Sequence, residues 1–421
     1  MKITMIAIGS TGDVRPYVLL GKELARRGHQ ITIAAFASFQ QMVEKEGLSF
    51  FPLPGDVMTL MGNIMKPGTT GFTFLAQLEK SLRSIAEPFL EEILRSCQDA
   101  DAMVCTFFGS TFYSVAEKYH IPCVQTHYFP MDINDLTPIS SAPGQRIGKL
   151  WNRASYRLGY LLISMLERAY LNPWREKNGM CVSRRLRTSP DYTVDGQTVP
   201  VIYAISQLLM PRPPQWGAHI HMSGFWWEGD PEPFTPPQDL VDFLKAGPPP
   251  VYIGFGSMVS GNMTKTFTRV IRAVRASGIR AVVSMGWAEE SLQVKSNSRI
   301  YFGKYLPHDW LFPQMAAVVH HGGAGTCASG LRAGKPTLVI PFGGDQPFWG
   351  DRVYRLGCGP KPIPRDMMTV RSLTKALIDL TSRDKYRTAA EELSAALRME
   401  RGVLRAADII ENTITNWNRA D

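Results

Sequence analysis

The sequence is poor in cysteine. Six residues (Cys97, Cys105, Cys123, Cys181, Cys327, Cys358) are scattered through 421, never as a CxxC pair. That excludes a zinc ribbon or a disulfide-stapled scaffold, and it fits buried thiols in a reducing compartment. No apolar run approaches the roughly 18 residues that a membrane span needs. The opening stretch MKITMIAIGSTGD has only six residues between Lys2 and Gly9, so it reads as a strand and not as a signal peptide. A cytoplasmic protein is therefore expected, and the NMT sequon at Asn262 carries little weight. A P-loop lysine and an obvious carboxylate set for Mg²⁺ are also missing. GSTGD is not GxGxxG, and no ribose-binding acid follows the second apolar run, which removes a dehydrogenase.

What is present is ordinary globular material, 44% hydrophobic and 20% charged, at a length that suggests two or three domains. The 19 Met, 30 Pro and 9 Trp are compatible with an apolar ligand pocket, although Met is also a general core filler. Net charge is +9, and acid is scarce in one place: residues 146–187 hold ten Lys/Arg against Glu167 and Glu176, a local excess of eight. No nucleic-acid motif accompanies this stretch, so no nucleic-acid partner is expected. Two readings remain: an amphipathic run that brings the protein peripherally to an anionic membrane, or an apolar stripe that packs inward beneath solvated arginines.

Along the chain, β-rich apolar runs alternate with helical spacing. KITMIAI (2–8), a helix from Pro16 to Arg27 and ITIAAF (31–36) make a βαβ unit, which requires a parallel sheet. Strands at 48–53, 102–108, 122–128 and 199–204 continue it, with helices at 72–97, 110–119 and about 145–177. Ten prolines between Pro211 and Pro250 interrupt the pattern. It then restarts with strands at 251–257, 279–286, 299–303, 316–321 and 336–341, interleaved with helices. The expected fold is α/β, two doubly wound Rossmann-like domains facing a cleft.

The chemistry gathers at strand ends. AAVVHHGGAGT turns a buried strand into a helix. Gly322, Gly323 and Gly325 let backbone N–H groups approach a ligand, and the helix start carries partial positive charge. Thr326 adds a hydroxyl and His321 a ring N–H. VYIGFGS puts Gly254, Gly256 and Ser257 at a neighbouring strand end, and two such loops side by side suit a diphosphate. Asp345 and Gln346, in PFGGDQPFWGDRV, can accept from and donate to adjacent sugar hydroxyls. A helix N-cap by Asp345 is the plainer alternative. Asp13 is either a base or a helix N-terminal acid stabilised by the dipole, a reading that Pro16 supports. His127 ends another strand of the first half, where a lone histidine is structural, acceptor-lining or, less often, catalytic.

These stretches (YLPHDWLFPQMAAVVHHGGAGTCASGLRAGKPTLVIPFGGDQPFWGDRV, GSTGDVRPYVLLGKELARRGH and VYIGFGSM) resemble the family 1 nucleotide-sugar glycosyltransferases. Within them the chain is most similar to sterol glucosyltransferases and to bacterial enzymes acting on antibiotic and lipid aglycones. The resemblance spans both halves and is most specific in the C-terminal motif. It implies the GT-B fold and places His321 on the donor diphosphate, with Gly323, Gly325, Thr326 and Ser257. Tyr305 would stack on the base where many members have Trp, Leu306 would bond it through the backbone, and Asp345 and Gln346 would bind the sugar. Plant members carry a catalytic histidine on the first loop; here the branch with an aspartate is matched, so Asp13 is the expected base. Thr11, His127 and Phe129 are the expected acceptor contacts.

The implied activity is inverting transfer of a hexose, glucose from UDP-glucose, to a hydroxyl of an apolar acceptor, with no metal and no cofactor beyond the nucleotide-sugar co-substrate. Alternatives are a dTDP-sugar and an antibiotic-type aglycone, an epimerase acting on a nucleotide sugar, or a non-catalytic nucleotide-sugar-binding protein of the same fold. Apolar residues such as Met58, Met61, Met65, Phe72, Phe74, Phe107, Phe108, Phe129 and Met131 favour a sterol, terpenoid, polyketide or lipid acceptor. The expected division is an acceptor domain over 1–215, a Pro-rich linker over 216–240 and a donor domain over 241–398. The last segment, 399–421, would be a helix packing back on the first domain.

Overall fold

The computed structural model describes residues 1–56, 86–106, 109–139, 147–182, 185–227, 234–256, 263–285, 294–303 and 306–417. The chain forms two compact units. One comprises Met1–Gln207, Pro211–Trp227 and Arg401–Asp421, the other Leu208–Met210 and Glu228–Glu400.

In the first unit the strands are β1 (Lys2–Ile6), β2 (Gln30–Phe36), β3 (Ser49–Leu53), β4 (Ala102–Cys105) and β5 (Cys123–His127). The ribbon strands β6 (Thr193–Val194) and β7 (Gln197–Thr198) precede β8 (Val201–Tyr203) and β9 (Ile220–Met222). The main sheet is parallel throughout, in the order β3-β2-β1-β4-β5-β8-β9. Its inner strands are buried on both faces, so Ile3, Met5, Ile6, Met103 and Val104 make largely apolar runs, with the buried Thr4 satisfied by the Ser96 carbonyl. The helices are α1 (Thr11–Arg26), α2 (Gln40–Glu44), α3 (Gly109–Tyr119) and the 29-residue α4 (Lys149–Lys177). Helix α1 buries Val14, Tyr17, Val18, Leu20 and Leu24 at helical spacing.

Helix α2 and the β6–β7 ribbon were not expected, and two further elements differ from the sequence expectation. Helix α1 begins at Thr11, not Pro16, because Ser10 supplies the N-terminal cap; Pro16 therefore lies in the helix interior. Strand β9 lies inside the proline-rich stretch read as linker, where only three residues between prolines and Trp–Gly turns carry it.

The second unit holds β10 (Val251–Gly254), β11 (Ala281–Ser284), β12 (Ile300–Gly303), β13 (Ala317–His320) and β14 (Thr337–Val339), again parallel, in the order β12-β11-β10-β13-β14. Its helices are α5 (Gln238–Lys245), α6 (Met263–Ser277), α7 (His308–Leu311), α8 (Ala324–Arg332), α9 (Gln346–Arg355), α10 (Val370–Ser382) and α11 (Asp384–Leu397). The last helix, α12 (Gly402–Asn416), belongs to the first unit and packs on α1. Arg27 pairs there with Asp408 at 2.7 Å and Glu411 at 2.5 Å, and a side chain at Gly402 would strike the Phe225 carbonyl.

In each sheet the strand order reverses once, between β1 and β4 and between β10 and β13. Loops leave in opposite directions at such a switch point and open a crevice at the carboxyl ends of the strands, where ligands of doubly wound sheets bind. Gly9–Asp13, Gly256, His321–Thr326 and Asp345–Gln346 follow the carboxyl ends of β1, β10, β13 and β14, and His127 closes β5.

Candidate functional site

The site of the second unit is built from backbone. Strands β10 and β13 pair with Gly254 opposite His320, so their outgoing loops start side by side. His321 fills the space between those loops. A Cβ on Gly256 would lie 3.2 Å from the imidazole Cε1, and one on Gly323 only 2.7 Å from Nε2. Gly256 has φ +59° and Gly322 φ +99°, which a side chain would strain. At Gly322 a Cβ would also sit 2.6 Å from the Val339 side chain and 3.1 Å from the Gln346 Cβ. The glycines thus bring both loops and the Asp345–Gln346 corner together.

The two histidines have different tasks. His320 is fully buried, and its Nδ1 accepts the Gly322 N–H at 2.9 Å, fixing the turn. His321 faces the loop space, and its Nδ1 is buried without a hydrogen-bond partner. Burial pushes the His321 imidazole down to about 4, so the ring is neutral at ordinary pH. Beyond it, helix α8 starts with Gly323 as cap, and its first intrahelical bond runs from the Cys327 N–H to the Gly323 carbonyl at 2.9 Å. The N–H groups of Ala324, Gly325 and Thr326 therefore have no acceptor within the helix. Gly325 is exposed, with open space where a Cβ would stand. A neutral ring and three amides at a helix start can receive an anion.

Asp345 and Gln346 stand at the start of α9. The Asp345 carboxylate accepts the Trp349 Nε1–H at 2.8 Å, one turn on. The Gln346 Oε1 accepts the Phe342 N–H at 2.7 Å and the Gly343 N–H at 3.3 Å, so its carbonyl holds the preceding turn. Sequence reasoning missed Trp349 as the group that orients Asp345; the i, i+4 spacing in DQPFW was the available signal. Leu306 is buried against Tyr301, Leu311 and Phe312, so its side chain serves the core and only its backbone could meet a ligand. Ser257 and Tyr305 lie outside the described residues, as do Met58, Met61, Met65, Phe72, Phe74, Phe107 and Phe108.

The site of the first unit is built from side chains. After β1 the chain passes Gly9 and Ser10 into α1, and the Asp13 carboxylate turns back to accept the Ser10 N–H at 2.7 Å and its Oγ–H at 2.9 Å. Gly9 has φ +137°, and any side chain there would collide with that carboxylate. Burial raises the Asp13 pKa, and the Ser10 bonds offset part of the rise. The cap and a raised pKa coexist in one residue. Thr11 beside it is exposed. Beneath, Tyr17, Tyr128 and Trp226 meet edge to face with centroids 5.9–6.2 Å apart. The Tyr17 and Thr126 hydroxyls are 2.5 Å apart, while the Tyr128 hydroxyl is buried and unpartnered.

His127 is not brought to Asp13: β4 lies between their strands, and the ring packs beside Tyr203 with centroids 5.1 Å apart. It is 3% exposed, both ring nitrogens lack partners, and burial pushes it down to about 3. Phe129 is half-buried and Met131 buried just beyond. Next to them lies a group that sequence reasoning did not find. The Asp132 carboxylate accepts the Tyr203 hydroxyl at 2.7 Å and lies 2.8 and 2.9 Å from the Tyr192 hydroxyl. Its burial outweighs those bonds and raises its pKa to about 6. Nothing local in MDIND signals this, since its partners come from residues 60 and 71 positions away. Among the described residues there is no group of three or more His, Cys, Asp or Glu that could hold a metal ion.

Residues 3–135 match the glycosyltransferase family 28 N-terminal domain, and residues 281–400 match the C-terminal domain of the erythromycin biosynthesis protein CIII-like family. The sterol 3-beta-glucosyltransferase UGT80A2 of Arabidopsis thaliana is 34% identical over 96% of this chain and 64% of its own length. UGT80B1 of the same plant is 30% identical over 97% of this chain and 67% of its own. The Pichia angusta sterol 3-beta-glucosyltransferase is 31% identical over 98% of this chain but only 33% of its own, so the chain spans a part of these longer relatives. Among solved structures, the kitacinnamycin glycosyltransferase superposes with TM-score 0.72 at 19% identity, covering 98% of this chain and 99% of that one. VinC, solved with dTDP, gives 0.69 at 16% over 99% and 100%. These carry the two-unit GT-B fold, and with the relatives' identity the chain belongs to the nucleotide-sugar glycosyltransferase family that includes the sterol 3-beta-glucosyltransferases.

Proposed function

We propose that the protein transfers a hexose, glucose from UDP-glucose, to a hydroxyl of an apolar acceptor such as a sterol, terpenoid, polyketide or lipid. The observation that carries this is the neutral, partnerless His321 Nδ1 set between two glycine loops at the start of α8. In this reading the donor diphosphate lies on the N–H groups of 324–326, with Gly323, Gly325, Thr326, Ser257 and His321 around it. Asp345 accepts from sugar hydroxyls, and Gln346, whose carbonyl is engaged, donates. Tyr305 and the Leu306 backbone meet the base. Thr11, His127 and Phe129 line the acceptor side, whose 1–215 segment is the acceptor domain and 241–398 the donor domain.

The reaction is a single displacement. The acceptor oxygen forms its bond to the anomeric carbon as the carbon–oxygen bond to the diphosphate breaks, and the bonding pair leaves on UDP. The acceptor proton passes to Asp13, and configuration inverts. A raised Asp13 pKa suits a base working near neutrality, which typically contributes ~10²–10⁴-fold. Charge on the leaving diphosphate is met by the helix N-terminus, the loop amides and His321, with no metal in the step. An acceptor of this kind is dissolved in lipid, so peripheral membrane contact through 146–187, from the cytoplasmic side, belongs to the same reading.

The test is mass-spectrometric. The protein is incubated with a panel of sterols and other hydrophobic alcohols and either UDP-glucose or dTDP-glucose, with and without EDTA. A product heavier by one hexose with UDP-glucose, unaffected by EDTA, is expected. Product only with the dTDP donor would reassign the base, and loss with EDTA would add a metal. No product with either donor, although UDP binds, would leave a nucleotide-sugar-binding protein.

A further inference from the structure

Helix α4 is inverted. A helix on a globular surface turns apolar residues inward and polar ones outward. In the first four turns of α4 the buried positions are Asn152, Ser155, Tyr156 and Ser164, while Leu150 is 84% exposed and Leu158 and Met165 are each 53% exposed. Ile147, just before the helix, is 70% exposed. The spacing 147, 150, 154, 158, 161, 165 defines one face along a helix about 43 Å long at about 1.5 Å per residue. Of the apolar stripe that the sequence shows, Ile147, Leu150, Ala154, Leu158 and Met165 are exposed and point away from the protein, while Trp151, Leu161 and Leu162 are half-buried at its edge.

Polar contacts hold the helix in that orientation. Asn152 Nδ2 donates to the Asp135 carbonyl at 2.8 Å, and Ser155 Oγ accepts the Ile139 N–H at 2.9 Å. The Tyr156 hydroxyl accepts from Asn134 Nδ2 at 2.8 Å, and the Tyr160 hydroxyl donates to the Met131 carbonyl at 3.0 Å. Further along, Glu167, itself buried, pairs with Arg187 at 2.7 Å. These bonds tie α4 to the 130–139 segment, which follows His127 and Phe129. Rotating the stripe inward would break them and bury it against polar groups.

The border of the stripe is cationic. Lys149 and Arg157 are exposed, and Arg168 is half-buried. Arg153 is not among these free cations: it is committed to Asp135 at 2.5 and 2.8 Å. Elsewhere in 146–187 the cations are paired, Arg175 with Glu117, Lys177 with Glu87 and Arg187 with Glu167 and Asp191, so the rim of the apolar face is made by Lys149, Arg157 and Arg168. Apolar residues flanked by cations on a helix match the interface of an anionic bilayer, where leucines enter the acyl boundary and Lys/Arg meet phosphates. No described helix is long and apolar enough to cross a membrane, which agrees with one that lies flat.

We propose that α4 docks the protein on anionic lipid surfaces, with Leu150, Leu158 and Met165 inserted and Lys149, Arg157 and Arg168 on the headgroups. This deepens the membrane contact in the functional reading, by naming the face and the lipid charge. The test uses the full chain and sedimentation with sucrose-loaded phosphatidylcholine vesicles, pure or with about a third phosphatidylserine. Binding to the anionic vesicles at low salt is expected, at least ~10-fold tighter than to neutral ones and weakening as salt rises. The Leu150→Ser/Leu158→Ser pair should lose at least ~10-fold at any salt, as apolar area is removed. The Lys149→Gln/Arg157→Gln/Arg168→Gln triple should lose as much at low salt only.

Equal binding of wild type and both variants overturns the proposal, as does no binding of wild type. A dimer abolished by the leucine pair, with no vesicle binding, would show that a second copy covers the face and also overturns it. Unchanged thermal melting of the variants guards against misfolding, since four of the five substituted side chains are exposed and Arg168 is half-buried. Transfer to a water-soluble hydroxyl acceptor is measured in parallel. Vesicle binding without transfer sinks the catalytic reading alone, and transfer without vesicle binding sinks this one alone.

Discussion

The two sites are made of different material. In the second unit the ligand space is bounded by Gly256, Gly322, Gly323 and the start of α8, and the His321 ring stands between them. In the first unit the corresponding strand edge carries the Asp13 carboxylate, three mutually packed aromatic rings and a buried His127. Backbone amides present one pattern to any diphosphate, so such a cradle is general and rigid. In the proposed reading, a pocket of side chains can be refitted to another acceptor without disturbing the turn that holds Asp13. Damage to the two units should therefore separate cleanly into chemistry and donor affinity.

The largest separation is expected at Asp13. Asp13→Asn keeps an acceptor for the Ser10 N–H but removes the proton acceptor, so turnover should fall by at least ~10²-fold. UDP affinity, measured by calorimetry, should stay within about twofold, because the cradle belongs to the other unit. A drop of less than about tenfold in turnover would leave Asp13 as a helix cap only.

The opposite signature is expected at His321. His321→Ala removes a hydrogen bond to a charged ligand, typically ~1.5–3 kcal/mol, so UDP should bind ~10–100-fold more weakly. The loss should be nearly constant between pH 6 and 8, because burial keeps the ring neutral throughout that range. An unchanged affinity would return His321 to a packing role between Gly256 and Gly323, and the comparison with Asp13 would collapse.

The legibility of the sequence follows the same division. Parallel strands buried on both faces are written as contiguous apolar runs, which is why the strands of both sheets could be located, β9 excepted. A glycine needed at φ +99°, next to a histidine and a helix start, is a local requirement and leaves a local motif. Long-range requirements leave none. Nothing in HHGG says that His320 faces its own turn and His321 the loop space. Asp132 becomes a buried acid only because Tyr192 and Tyr203 arrive from elsewhere. The stripe on α4 has helical spacing whichever way it points; its direction was decided by the polar partners in 130–139. Pro16 misplaced the start of α1 because the Ser10–Asp13 bonds that begin the helix outweigh one missing N–H.

The smallest effect concerns acid, and it sharpens the contrast between the units. In the second unit His320 and His321 are both depressed by burial. A histidine depressed in the folded state leaves stability intact above its unfolded pKa, near 6.5, and loses it as pH falls toward the folded value. Each contributes a slope of at most ~1.4 kcal/mol per pH unit. The first unit carries both signs. His127, His219 and His221, all depressed by burial, act in the same direction, whereas Asp13 and Asp132, both raised by burial, act in the other: the native Asp132, up to about 6, takes up a proton near pH 6 that the unfolded chain takes up only near 3.8. As pH falls from 6 toward 4, Asp132 therefore returns stability that His127 loses. Scanning calorimetry between pH 7 and 5 should show the transition that UDP raises, that of the second unit, falling by a few degrees more than the other. Asp132→Asn should steepen the pH dependence of the first unit's transition over the same range, whatever constant shift the substitution adds. Transitions that move in parallel, in wild type and variant alike, would mean that the buried charges of the two units are not distributed as described.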